Sequence, residues 1–337
     1  MSITNTTSFD ELYSLVTIEW DNAMQGIELQ ARSAGIFNEM PFPDGTGKFR
    51  RVSEYDFEEY ARNKSEGGQA AIQRQQLGYE KDMTLVRRAL NVEFTYEGKH
   101  YEKYSFNTDA VQAARRSLEQ RLDLDLQHRL TFGTATSYTD MDGATVNVTV
   151  GDGLALFSTV HTLLASSSTY RNRLANSPQA SKGALEAMEK MWVENTLNHF
   201  GQKVARDADV LWSTDDPNTC NTIRELLLAT AEVSAPNAGV PNVYKAKYRH
   251  VKLSRVATDA NGNPDSTKAK YWGLIATGRN GWQSFLGVNE EAHLMPLEAS
   301  NSFDVRTDTY SIPARIGYGI TVLSGRFCTI SLGNGEA

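Results

Sequence analysis

DAVQAARRSLEQRLDLDLQHRLTF, residues Asp109 to Phe132, is the stretch that decides the fold. Asn107 or Thr108 stands before it and can cap a helix, since a short side-chain oxygen accepts from the free amides of a first turn. Asp109 adds negative charge where the helix dipole favours it. Val111, Ala114, Leu118, Leu122, Leu126 and Leu130 recur at helical spacing, with Leu124 beside them, and make one apolar stripe. Arg115, Arg116, Glu119, Arg121, Asp123, Asp125 and Arg129 fill the other face and balance in sign. Gly133 follows, where a left-handed C-terminal cap would sit. A helix of about 24 residues is roughly 36 Å long, well beyond the usual three to four turns. The pattern predicts a spine over 108–132 on which other elements lean, and it is too short for the sustained heptads of a coiled coil.

On the N-terminal side, residues 91–106 alternate Val92, Phe94 and Tyr96 about a Glu97-Gly98 turn, which predicts a hairpin or meander leading into the spine. Residues 45–90 are rich in charge and Gln. From Asp44 to Leu90, Lys and Arg number nine and Asp and Glu eight. Phe49, Val52, Tyr55 and Phe57 predict an outgoing strand, Tyr79, Met83 and Leu85 a returning one, and Gly67-Gly68 a tip. Such a two-stranded excursion cannot bury enough apolar surface to stand alone, so it is expected to pack on a neighbour. Residues 1–44 form an acidic arm. Phe9, Leu12, Leu15, Val16 and Ile18 predict a short amphipathic helix there, before Pro41-Phe42-Pro43 breaks the pattern.

On the C-terminal side, Ala144, Val146, Val148 and Val150 predict a short strand, and Ser181 to Phe200 a helix. Ala208 to Thr214 reads as a buried strand. Asp216-Pro217 opens another helix, with Asp as cap and Pro at its first position. Val243 to Val256 alternates as a long strand, and Lys270 to Thr277 returns as another. The stretch after Ser302 reads as three strands lying against the spine.

The chain has 337 residues, 40% hydrophobic and 22% charged, with net charge −7. That is enough for two or three packed subdomains. It lacks the basic face of a protein whose main work is gripping nucleic acid. No apolar run is long enough to span a membrane, and the opening MSITNTTSFDELYSL lacks a signal peptide's basic start and apolar core, so a cytoplasmic origin is expected. Cys220 and Cys328 are too few for a disulfide framework or a Cys-based zinc site.

Catalytic signatures are missing: no G-x-S-x-G, no phosphate-cradling Gly-rich loop, no H-E-x-x-H. Gly151-Asp152-Gly153 opens like a dinucleotide fingerprint, but Leu156 takes the third glycine's place. Glu97/His100 and Glu290/His293 have a di-iron spacing that needs helix interiors, and Gly98 and Pro296 argue against helices there. Asp207/Asp209 and Asp215/Asp216 could pair as catalytic carboxylates but read more simply as a loop face and a helix cap. No catalytic, cofactor or metal site is expected.

GDGLALFSTVHTL (Gly151 to Leu163), followed by STYRNRL (Ser168 to Leu174), resembles the major capsid proteins of tailed bacteriophages, nearest the Mu-type major head branch. In that branch a D-G-x-x-L-F-S-x-x-H run follows the long helix and precedes a Gly/Ser-rich loop with an S/T-x-x-N element. The resemblance implies an α+β, HK97-like fold: an N-arm (1–44), an E-loop (45–90), a peripheral domain on the spine (91–137), a mixed α/β axial domain (138–300) and C-terminal strands returning to the peripheral domain (301–337). It implies a virion protein, assembled in a host cytoplasm into hexamers and pentamers that enclose double-stranded DNA without reading its sequence. Inter-subunit contacts are expected in the E-loop: Arg50, Arg51, Glu58, Glu59, Arg62 and Lys64 on the outgoing side and tip, Glu66, Gly67 and Gly68 at the tip, and Arg74, Lys81, Arg87 and Arg88 on the return. About 100 residues precede the spine, so a separate scaffolding protein is expected, with a portal and a cement protein as further partners. Lys64 and Lys81 lie in the loop, but no covalent crosslink is expected. The alternatives are an encapsulin-like nanocompartment shell and a soluble α/β enzyme using the carboxylates of Asp207 to Asp216.

Overall fold

The computed structural model describes residues 9–25, 27–42, 47–95, 106–231, 241–278, 280–295, 303–304 and 309–335. The Glu97-Gly98 turn and the Glu97/His100 pair fall outside them. In chain order the strands are β1 (Asn38–Pro41), β2 (Phe49–Phe57), β3 (Gln75–Thr84), β4 (Val86–Thr95), β5 (Ser137–Thr139), β6 (Thr145–Asn147) and β7 (His161–Thr162). Then come β8 (Thr169–Tyr170), β9 (Val210–Ser213), β10 (Arg249–Lys252), β11 (Trp272–Ile275), β12 (Ser284–Leu294), β13 (Phe303–Asp304) and β14 (Thr309–Val322).

The spine helix runs Phe106–Thr131, so Asn107 and Thr108 lie inside its first turn. All seven residues of the predicted stripe are buried. The opposite face is largely buried too. Asp123, Gln127 and His128 are fully enclosed. Asp123 accepts from Ala31 N at 2.9 Å and Gln127 Nε2 at 2.7 Å and pairs with Arg255. Buried polar groups are held when they are paired in this way. Gly133 is no left-handed cap: it has no positive φ. A Cβ there would lie 2.5 Å from Phe157 Cδ2, so glycine serves the close approach of that ring.

An N-terminal helix, Phe9–Asn22, lays Val16 and Trp20 on the spine. Arg115 Nη1 donates to Trp20 O at 2.6 Å, and the guanidinium sits 5.6 Å from the Trp20 ring. The main sheet runs β1–β12–β14–β4, with β13 on the edge of β14. β1 joins in parallel and the rest antiparallel. Ile312, Ala314, Ile316, Tyr318, Ile320 and Val322 alternate along β14 and share one core with the spine stripe. The expected three terminal strands are thus one long strand, the short β13 before it, and a tail after it. Among the described residues the tail has no strand of its own and bridges to β11 at Ile275↔Cys328 and Trp272↔Ser331.

A second core lies around the sheet β10–β9–β11 and two helices, Lys182–Asn195 and Pro217–Leu228. Ser181 Oγ caps the first through Ala184 N at 3.2 Å, and Asp216 caps the second through Thr219 N at 2.9 Å. β9 joins the cores: Val210 and Trp212 face the spine side, and Leu211 faces Met188, Ile223 and Leu274. The predicted strand over 243–256 shrinks to Arg249–Lys252, as long as the β9 partner it pairs with. Tyr244 and Tyr248, read as alternation, instead pack on the helices from a turn that passes through Ala246 at φ 55°.

The boundary expected at residue 300 is crossed both ways. β12 lies in the spine's sheet, and the tail after β14 completes the second core's sheet.

Candidate assembly interface

β2 and β3 form an antiparallel hairpin, Phe49↔Thr84 to Phe57↔Gln75, with an irregularity between Ser53 and Tyr55. Its apolar residues divide unusually. Val52 and Met83 point inward, onto Phe42 and Leu323. Phe49, Tyr55, Phe57 and Leu77 point outward and are 59%, 56%, 49% and 45% exposed. At the tip Tyr60 and Ile72 are 63% and 88% exposed. Period-two alternation explains the division, because Phe49, Tyr55 and Phe57 share the odd face of β2.

The inward face carries charge. Glu54 is buried and pairs with buried Arg326, while Asp56 Oδ2 lies 2.7 Å from Arg326 Nη1. His199 Nε2 is 3.1 Å from Glu54 Oε2, and His199 N donates to Asp56 Oδ2 at 2.9 Å. Burial raises the Asp56 pKa against the pull of His199, lowers that of His199, and brings that of Arg326 down to about 10, still cationic at neutral pH. Glu54, Asp56 and His199 bring three potential ligand atoms within 4.8 Å of one another. The Arg326 guanidinium pairs with both carboxylates, so the cluster acts as an ion-pair latch.

The resemblance motif builds the rest of the seat. Gly151 leaves room for Tyr79 of β3, where a Cβ would also lie 2.8 Å from Leu323 O. The Tyr79 hydroxyl donates to Thr162 O at 3.0 Å. Behind it Asp152 and His161 form a buried pair at 2.7 Å, His161 stacks on Tyr170 at 4.8 Å, and Asn172 Nδ2 donates to Leu156 O at 2.7 Å.

The sequence-predicted interface residues separate into groups. Glu58 and Arg62 pair at 3.0 Å, Glu59 N donates to Gln202 Oε1 at 2.8 Å, and Arg74 O accepts from Glu58 N at 3.1 Å. Lys64 and Glu66 are exposed, and Gly67 turns the tip at φ 70° with Gly68 N closing onto Ser65 O. Arg51 faces solvent with Asp82 at 2.9 Å, Arg50 is half-buried on β2, and exposed Arg87 reaches Glu290 at 3.8 Å. Lys81 and Arg88 turn inward. Lys81 Nζ donates to Thr149 O, and Arg88 meets Asp125, Asp140 and Asp142. Glu54, Asp56, His199 and Arg326 were not singled out from sequence, since Glu54 and Arg326 stand 272 residues apart with no local motif.

The carboxylate pairs do not converge. Asp209 binds Thr277 N at 2.6 Å, Asp216 caps its helix, and Asp207 and Asp215 are exposed. Glu290 and His293 lie on β12, where His293 Nδ1 bonds Glu291 O at 2.8 Å.

No family model matches the sequence and no curated protein is similar to it. Solved structures are. The capsid of the Myoviridae phage XM1 is similar with a TM-score of 0.51 and 10% identity, over 89% of this chain and 90% of that one. The capsid of cyanophage P-SCSP1u is similar with a TM-score of 0.51 and 10% identity, over 90% and 88%. At such identity the likeness is one of fold: the chain has the α+β, HK97-like fold of phage capsid structures.

Proposed function

We propose that this chain is the major capsid protein of a tailed phage, a structural subunit with no catalytic role that builds the head shell around double-stranded DNA. The observation that carries the reading, on this fold, is the hairpin that turns Phe49, Tyr55, Phe57 and Leu77 to solvent while Glu54 and Asp56 face the body. A two-stranded element does so at a cost unless a partner covers it. The partner is a second copy, and the hairpin is the E-loop of the 45–90 segment. Residues 1–44 serve as N-arm, the spine and main sheet as peripheral domain, and the second core as axial domain. The Asp152-to-His161 run supports the finer placement in the Mu-type branch.

Hexamers and pentamers repeat each contact many times, so surface ion pairs worth about 0–1 kcal/mol each suffice and leave assembly reversible. Scaffolding, portal and cement proteins are the expected partners, and the virion the final location. The test is nuclease treatment of particles sedimented from infected cells. Protected double-stranded DNA is expected from particles filled in infected cells. Particles holding enzyme cargo and no DNA would replace this reading with the nanocompartment.

A further inference from the structure

Behind the hairpin base, β3, β4, the spine, the β5–β6 hairpin and β14 enclose a cavity of about 430 Å³. Its charged walls are Lys81, Asp82, Arg88, Asp125, Arg129 and Asp140, with the phenols of Tyr138 and Tyr318 between them. The acids are already committed. Asp82 holds Arg51 at 2.9 Å, Asp125 holds Arg121 at 3.1 Å and accepts from Tyr318 at 2.6 Å, and Asp140 holds Arg88 at 2.8 Å. Lys81 and Arg129 have no carboxylate partner among the described residues. Lys81 Nζ donates to Thr149 O, and Arg129 donates to Asn147 O at 2.8 Å and Ile320 O at 3.5 Å.

Carbonyl dipoles do not neutralise two cations drawn out of water. Burial, and then repulsion by Arg129, push the Lys81 ammonium pKa down to about 8. Burial lowers that of Arg129 as well. Arg88 Nε, Arg129 Nε and Thr321 Oγ1, all in the cavity wall, have no partner among the described residues either. The wall therefore offers more donors than the chain satisfies, with Lys81 and Arg129 bonded to carbonyls while the carboxylates are bonded to other arginines.

We propose that this cavity binds a small oxyanion, a phosphate or a carboxylate group, held between Lys81 and Arg129. Such a group replaces a like-charge repulsion with charge-assisted hydrogen bonds. Two sources supply that chemistry: phosphate in solution, or an acidic side chain of a second copy, the latter resting on the shell reading above.

The test is calorimetric titration of the dispersed chain with inorganic phosphate, alongside carbon-13 dimethyl-lysine NMR of the Lys81 titration. With dissolved phosphate as ligand, heat of binding appears and the Lys81 titration moves up from about 8. Lys81→Met, which keeps the apolar stem, then weakens binding roughly ten- to hundredfold. Arg129→Gln is the second variant and acts in the same direction. With a second copy's carboxylate as ligand, phosphate leaves the dispersed chain unchanged, and the Lys81 titration rises only on assembly. A Lys81 titration that moves in neither state overturns the proposal, as does phosphate binding that Lys81→Met leaves intact. If the chain fails to assemble, the shell reading falls and the phosphate titration alone decides this one.

Discussion

Arg326 and Glu54 show what a single pair does here. Both are buried, and their contact fastens the hairpin to the tail that follows β14. Arg326→Met leaves Glu54 charged and unpaired, at a cost of about 3–5 kcal/mol. The double variant Glu54→Leu with Arg326→Met recovers part of that, because the fully buried carboxylate is gone and only Asp56, partly exposed and still bonded by His199 N, is left without its cation. Urea unfolding of both variants checks this, and equal losses would count against the latch. His128 acts through pH. It is fully buried with Nε2 3.2 Å from Thr258 Oγ1, and burial lowers its pKa to about 4 from 6.5. Between those values the unfolded chain takes up a proton that the native chain refuses, so stability falls as pH falls, by about 1.4 kcal/mol per unit. From pH 6.5 to about pH 5 the wild type loses roughly 2 kcal/mol more than His128→Gln in urea unfolding. Asp56, Glu119 and Asp123, whose pKa values burial raises, oppose the trend equally in both proteins, so the difference isolates His128.

Elements were legible where one local period governs them. The spine stripe, the Asp216-Pro217 helix start and the hairpin about Gly67 each follow from spacing within one segment. Elements defined by distant partners were not. β12 carries Asn289, Glu290 and Glu291 in its middle and is a strand because β14 and β1 flank it. β10 is short because β9 is short. The hairpin shows both sides of this limit: its strands were readable, but which face meets the body depends on Arg326 and His199, far along the chain. Its outward face yields a separate prediction. Tyr55→Ser with Phe57→Ser changes monomer stability by less than about 1 kcal/mol, as expected for exposed positions, yet abolishes particle formation on sedimentation. Particles that form normally would remove the hairpin's outward face from the assembly contacts.

Across the whole molecule, the two cores are bound together by β9 and by the tail after β14, and the spine is polar on one side and still buried. The two sheets interleave along the chain, since a sheet takes strands from wherever the topology brings them. Such a body is rigid enough to present the hairpin and its latch in fixed relation, which a closed shell with repeated contacts requires. The most direct test is negative-stain electron microscopy of the chain co-expressed with the scaffold and portal proposed above. Closed icosahedral shells of uniform size are expected. Small discrete particles that persist with both partners present would contradict the shell reading.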